Sequence, residues 1–217
     1  MSTETPSTAR QFTAPVIDRA DAHTVYAGLH HVSDNEHART TLADLSHQWT
    51  GAPWQPGLLS LTSYLSTDGD TVLTYAQAAA DDSYPSFTRE LSGVAGAEPV
   101  RYRFRRGIRT GTGVPGCVVI ATFDVDGPGR QDAVVDALLD TLSRVPGDGP
   151  PGMLSANFHV SADGSRVLNY AEWVSDEAHL AFLEGSTRKA TLSASTRLPG
   201  VRPIGFRRFH LHHTLSR

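Results

Sequence analysis

One segment of the chain occurs twice. PGLLSLTSYLSTDGDTVLTYAQ (Pro56–Gln77) lies over PGMLSANFHVSADGSRVLNYAE (Pro151–Glu172) at an offset of 95 residues without a gap, and 11 of the 22 positions are identical. A shared Asp-Gly turn, 68–69 and 163–164, is ordinary hairpin chemistry. It does not account for the matching Pro-Gly entrance, Ser60/Ser155, Val72-Leu73/Val167-Leu168 or Tyr75-Ala76/Tyr170-Ala171. The period exceeds that of solenoid repeats, roughly 20–50 residues, so each copy is expected to be a small domain.

Both copies give the same order of elements. In the first, 23–32 predicts a strand and 34–49 a helix with Asp34 as N-cap. Residues 57–66 and 71–79 predict a hairpin. A short helix follows over 81–93, with Pro85 in its first turn and Gly93 at its end, and a strand over 98–108. In the second, 116–125 predicts a strand, and 129–145 a helix with Val134, Ala137, Leu138 and Leu142 on one face. The hairpin recurs, then a helix over 175–190 with Ser175 and Asp176 near its cap, and a strand within 201–214. The fold class is α+β: two ferredoxin-like βαββαβ repeats. Such a sheet has helices on one face and leaves the other bare, so the two copies are expected to form an intrachain pseudo-dimeric α+β barrel. The expected boundaries are a flexible tail over 1–20, rich in Ser, Thr and Pro, a first domain over 21–110 and a second over 111–217, joined at Gly111–Pro115.

Composition removes several functions. A net charge of -4 is not the basic field of a nucleic-acid binder. Cys117 is the single cysteine, so there is no intrachain disulfide framework. The first 15 residues lack the apolar run of a secretory signal, and no stretch approaches the ~18 apolar residues of a membrane span. The expectation is a soluble, cytoplasmic protein with a small-molecule partner, neither nucleic acid nor membrane, and with room for a further homodimer. The histidines of FHLHHTL (209–215), with His30 and His31, lack the helical pair or Cys cluster of a metal centre, and no metal is expected. The five arginines of RYRFRRGIR (101–109) suit an exposed strand face. The loops GTGVPG and GDGPPG do not lead a strand into a helix with the Gly-Lys-Ser/Thr of a phosphate cradle.

The second hairpin carries the chemistry. Asn169, Ala171 and Trp173 alternate onto one face of their strand. Ser155, Asn157 and His159 share odd parity on the neighbouring strand, which suggests one polar cluster while several hairpin registers remain open. His179 follows closely and can fold back over Trp173. An amide without partners costs roughly 1–3 kcal/mol when buried, so it belongs where a ligand supplies the bonds. An indole offers a flat wall to an aromatic ring, and an imidazole can move a proton near neutral pH. At the positions of His159, Asn169, Trp173 and His179 the first copy has Tyr64, Thr74, Ala78 and Tyr84. These positions differ while their neighbours match, which points to a working site in the second copy and a degenerate one in the first.

SANFHVSADGSRVLNYAEWVSDEAHLAF closely resembles the antibiotic biosynthesis monooxygenase family, strongly over about 151–183 and more weakly over 56–77. The resemblance implies a tandem member of a family of dimeric α+β barrels. Those barrels oxidise anthrone-type polyketides to quinones with O2, without metal, flavin or haem. It places the family's Asn-x-x-x-Trp pair on Asn169 and Trp173 and its hairpin His on His159, and puts His179 where the best-known members carry Tyr. The family's later helical Arg falls near Ser193, with Arg188, Lys189 and Arg197 nearby. The implied catalytic residues are Asn169, Trp173, His159 and His179. Ser155, Asn157 and Arg188 are the candidates for binding substrate. The expected reaction is a cofactor-independent oxidation of an aromatic polyketide or related phenol, with O2 as co-substrate. A haem-binding or haem-degrading oxygenase and a non-catalytic, cyclisation-steering barrel are the alternatives.

Overall fold

The alternating apolar residues of each hairpin and the helix-spaced ones between them settle into regular elements. The computed structural model describes residues 10–11, 14–89, 91, 98–147 and 149–217. In chain order the elements are β1 (Arg10–Gln11), β2 (Thr24–His31), α1 (Asn35–Gly51), β3 (Leu58–Ser66), β4 (Thr71–Ala78), α2 (Ser83–Thr88), β5 (Val100–Arg109), β6 (Cys117–Val125), α3 (Pro128–Ser143), β7 (Met153–Ser161), β8 (Arg166–Trp173), α4 (Asp176–Glu184), α5 (Ser186–Thr196) and β9 (Val201–Ser216). The described residues divide into two units, one drawn from 1–65, 69–99 and 211–217, the other from 66–68 and 100–210.

In the first unit the strands lie side by side as β2-β4-β3, antiparallel. Helix α1 begins where Asp34 accepts a hydrogen bond from the His37 amide at 2.8 Å. It buries Ala38, Leu42, Leu45 and Trp49, a spacing of three and four residues that keeps one face on the core. Leu42 is wholly buried; cutting it to Ala would cost about 2–5 kcal/mol. The expected tail is partly anchored: Ile17 is buried, and Gln77 donates through Nε2 to the carbonyls of Val16 and Ile17. Residues 1–9 and 12–13 of that tail, and the Gly93 expected to end α2, lie outside the described residues.

The second unit has the βαββαβ order, with strands side by side as β9-β6-β8-β7 and all neighbours antiparallel. Strand β5, read from the sequence as the last strand of the first repeat, runs along the outer edge of β7, from Tyr102 opposite Ser161 to Arg109 opposite Ser155. Two of its arginines pair with α3, Arg105 with Asp132 and Arg106 with Asp136. Helix α3 lays Val134, Val135, Leu138, Leu139 and Leu142 on the sheet. Its Gln131, nearly buried, donates through Nε2 to the carbonyls of Ser161 and Arg166 at the hairpin's end. The helix expected over 175–190 is two helices. Gly185 between them is extended, with ψ of 164°, and α5 runs on to Thr196.

The repeat extends to an irregularity. Between Leu58 and Ser60 the pairing of β3 with β4 shifts by one residue, and between Met153 and Ser155 the pairing of β7 with β8 does the same. A bulge bends a strand and changes which side chains face the core. The copies keep it at the same place, 95 residues apart.

Candidate active site

The pairing of β7 with β8 decides which polar residues meet. Asn157 lies opposite Tyr170, Phe158 opposite Asn169 and His159 opposite Leu168. Residues directly opposite in an antiparallel pair share a face. Asn169, Ala171 and Trp173 therefore share the helix-covered face with Phe158, Ala156 and, beyond the bulge, Met153. Ser155, Asn157 and His159 point from the other face. The expected single cluster is two clusters. The physical reason is the register: Val160 pairs with Val167, so odd positions on β7 face even ones on β8. The signal is the two-residue Asp163-Gly164 turn itself, which leaves an even number of residues between paired positions.

On the far face, Ser155 Oγ donates to Glu172 Oε2 at 2.6 Å, and Asn157 Nδ2 donates to Ser155 Oγ at 2.8 Å and to the Tyr170 carbonyl at 3.3 Å. His159 has no exposed surface and meets Phe104 edge to face, ring centroids 5.7 Å apart. Burial lowers its imidazole to about 4. None of these three residues lines the pocket on the helix-covered face.

The near face holds a cavity of about 130 Å³ between the sheet and helices α3, α4 and α5. Its walls are mostly apolar, Leu138 and Leu142 from α3, Phe158 and Ala171 from the sheet, Phe182 from α4 and Phe206 from β9 among them. Asn169, Trp173, His179 and Arg188 also line it. Ser175 places His179: its Oγ accepts from the Ala178 amide and starts α4 immediately after β8. The His179 ring then lies 5.1 Å from Trp173, 6.0 Å from Phe182 and 5.3 Å from Phe206, so three aromatic rings surround the imidazole.

Three buried polar atoms in this wall have no hydrogen-bond partner: Asn169 Oδ1, Trp173 Nε1 and His179 Nδ1. Most buried polar groups in proteins are paired, and each exception needs a reason. Burial, followed by the charge of Arg208, lowers His179 to about 4, against the opposing pull of Asp176. It is neutral at pH 7 and so able to accept a proton. Arg188, one turn into α5, is half-buried and is the one charged side chain lining the cavity. Ser193 and Arg197, near the family's usual arginine position, line a separate depression, and Lys189 is exposed. His210 is engaged elsewhere, with Nε2 2.7 Å from Asp176 Oδ2. No described helix is long and apolar enough to cross a membrane.

No family model and no curated protein matches the chain. Solved structures do. An anthrone oxidase-like protein is 17% identical over 91% of this chain and 94% of its own, with a TM-score of 0.73. A ferredoxin-fold protein of Listeria monocytogenes, described as related to antibiotic biosynthesis monooxygenases, is 14% identical over 88% and 95% (TM-score 0.50). A major regulator of staphylococcal pathogenesis is 11% identical over 86% and 98% (TM-score 0.51). The chain shares the fold of these solved structures. The regulator shows that this fold alone does not set the chemistry.

Proposed function

We propose that the chain is a monooxygenase that oxidises an electron-rich phenolic or anthrone-type aromatic with O2, without a cofactor, in the cavity of the second unit. The observation that carries this reading is the set of three unpartnered polar atoms, of Asn169, Trp173 and His179, in an otherwise apolar wall. Leaving each unmade costs roughly 1–3 kcal/mol, and a bound hydroxylated ring would satisfy them, its O–H donating to Asn169 Oδ1 or His179 Nδ1 and its oxygen accepting from the Trp173 indole N–H.

Ground-state O2 is a triplet and reacts slowly with closed-shell molecules. A phenolate or enolate passes it one electron, and the radical pair recombines into a C–O bond. The resulting peroxide takes a proton and loses water, so that a CH2 or aromatic C–H position becomes a carbonyl: one oxygen atom enters the product and the other leaves as water. All four electrons that O2 takes up come from the substrate, and no external reductant enters the balance. His179, neutral and aromatic-walled, accepts the substrate proton. The Asn169 carboxamide and the Trp173 indole N–H donate to the developing oxyanion, each worth roughly 10²–10³ in rate where such donors have been removed. Phe182 and Phe206 confine the ring and keep water away from the radical pair.

The test is O2 uptake by purified protein with a panel of electron-rich phenols, from a one-ring hydroquinone to a three-ring anthrone. The expected result is enzymatic uptake above background, with one atom of 18O from 18O2 in the quinone product. Turnover at the background rate across the panel overturns the reading and leaves a binding barrel. A Soret shift with added hemin, and activity only then, would assign the site to haem.

A further inference from the structure

We infer that the cavity is built for a single-ring aromatic anion, with Arg188 as the residue that selects the charged form. The inference rests on the reading of the cavity as a substrate site and narrows it in size and charge.

Size comes from the volume. The cavity measures about 130 Å³. Pockets for drug-sized ligands run to roughly 300–1,000 Å³, whereas an engineered apolar cavity of about 150 Å³ holds one benzene. Leu138, Leu142 and Phe158 close the inner wall and are buried in the same core cluster. Protein interiors resist expansion, since added methylenes already force rotamers and backbone to shift. One ring fits within this space; three fused rings would have to project through its open side or move α5 or β9.

Charge comes from what the wall lacks. Among its lining residues Arg188 is the one cation and there is no acid. Among the described residues the Arg188 guanidinium has no ion-pair or hydrogen-bond partner; its carbonyl accepts from Thr191 Oγ1. The other charges near His179 belong to Asp176 at the start of α4 and Arg208 on β9, and these two pair with each other at 3.5 Å. A half-buried guanidinium facing an apolar cavity is completed by an anionic oxygen, which it grips through planar paired N–H donors. The anion can be a ring carboxylate or a phenolate.

Binding measured by calorimetry under nitrogen tests this apart from catalysis. The probes are benzoate, benzamide, 4-nitrophenol on either side of its ionisation, and anthracene-2-carboxylate. Benzoate or 4-nitrophenolate should bind at least ten-fold tighter than its neutral counterpart and than the three-ring acid. Which of the two binds separates carboxylate from phenolate recognition. R188Q should bring charged and neutral probes within two-fold of each other, and R188K should keep most of the discrimination. Equal binding of charged and neutral probes, tighter binding of the three-ring acid, unchanged selectivity in R188Q, or no binding of any probe would overturn the inference. Oxidation of an anthrone without binding of one-ring anions would overturn it while sparing the proposed reaction. Binding of one-ring anions without O2 uptake would do the reverse.

Discussion

The two repeats share a hairpin down to its bulge and differ in what stands at the ends of its side chains. In the first, Thr74, Ala78 and Tyr84 occupy the places of Asn169, Trp173 and His179 and are all buried. Ala27 faces Tyr75 as Ile120 faces Tyr170, and the same count puts Trp49 of α1 where Leu142 of α3 lines the cavity. Trp49, Tyr84 and Phe87 share one core cluster. The Tyr84 ring stacks on Tyr26 at 5.0 Å, and its hydroxyl bonds to Thr74 while burial pushes it up to about 12. In the second, the smaller Leu142 leaves space, and Asn169, Trp173 and His179 each keep an unpartnered atom. Identical scaffolds thus carry opposite solutions: Thr74 and Tyr84 satisfy each other, whereas their counterparts wait for a ligand.

The largest expected difference between the copies is in turnover. N169A should lower kcat by roughly 10²–10³, the effect of losing one oxyanion donor. T74A, the same change in the first repeat, should stay within two-fold of wild type. Steady-state O2 uptake by both variants decides it, and equal effects would break the contrast between a working and a packed site.

Acid should separate them next. His159 and His179 are both lowered to about 4 by burial, while the first repeat has Tyr64 and Tyr84 at these positions. A depressed imidazole is neutral in the fold, and its unfolded counterpart takes up a proton near 6.5. Stability from this source is therefore full above about pH 6.5 and lost as pH falls toward 4, on the order of 3 kcal/mol for a wholly buried histidine. His159→Tyr, which installs the first repeat's residue, should flatten urea-unfolding stability between pH 6.5 and 4. An unchanged slope would mean that His159 already exchanges protons freely in the fold.

A transplant sharpens the comparison further. The double substitution N169T with H179Y gives the second repeat the first one's hydroxyl pair. Filling the hollow and pairing its polar atoms should raise the urea midpoint at unchanged m-value by about 1–3 kcal/mol of stability and abolish oxidation. A lower midpoint would show that the hollow is already satisfied as it stands.

What was legible in the sequence follows from which interactions are local. The repeat, the element order and the Asp34 and Ser175 caps depend on neighbours in the chain and are found where the sequence places them. The near-face trio was legible too, because Asn169 and Trp173 alternate along one strand and His179 follows in the next turn. Ser155, Asn157 and His159 were misplaced because facing is a property of two strands, and one residue of register moves a whole set to the other side. The break at Gly185 was missed because glycine inside a helical pattern is often tolerated. On α5, Arg188 lines the cavity, whereas Ser193 lines a separate depression. Strand β5 lies beside β7, a pairing between segments some 50 residues apart that no local pattern announces.

The smallest effect tests how the site is held in place. Asp34 and Ser175 cap equivalent stages of different helices: Asp34 Oδ1 takes the His37 amide at 2.8 Å, and Ser175 Oγ takes the Ala178 amide at 3.3 Å. Replacing either by Ala removes an acceptor from a helix start and should cost about 0.5–2 kcal/mol, with the longer Ser175 bond at the low end. The consequences diverge because α1 carries no cavity residue, whereas Ser175 sets the turn that holds His179 against Trp173. D34A should lower the unfolding midpoint and leave kcat/KM within two-fold. S175A should lower the midpoint less and reduce kcat/KM several-fold, since small misplacements of a catalytic group are costly. Equal kcat/KM in the two variants would show that the ring contacts of His179, and not the cap, fix its position.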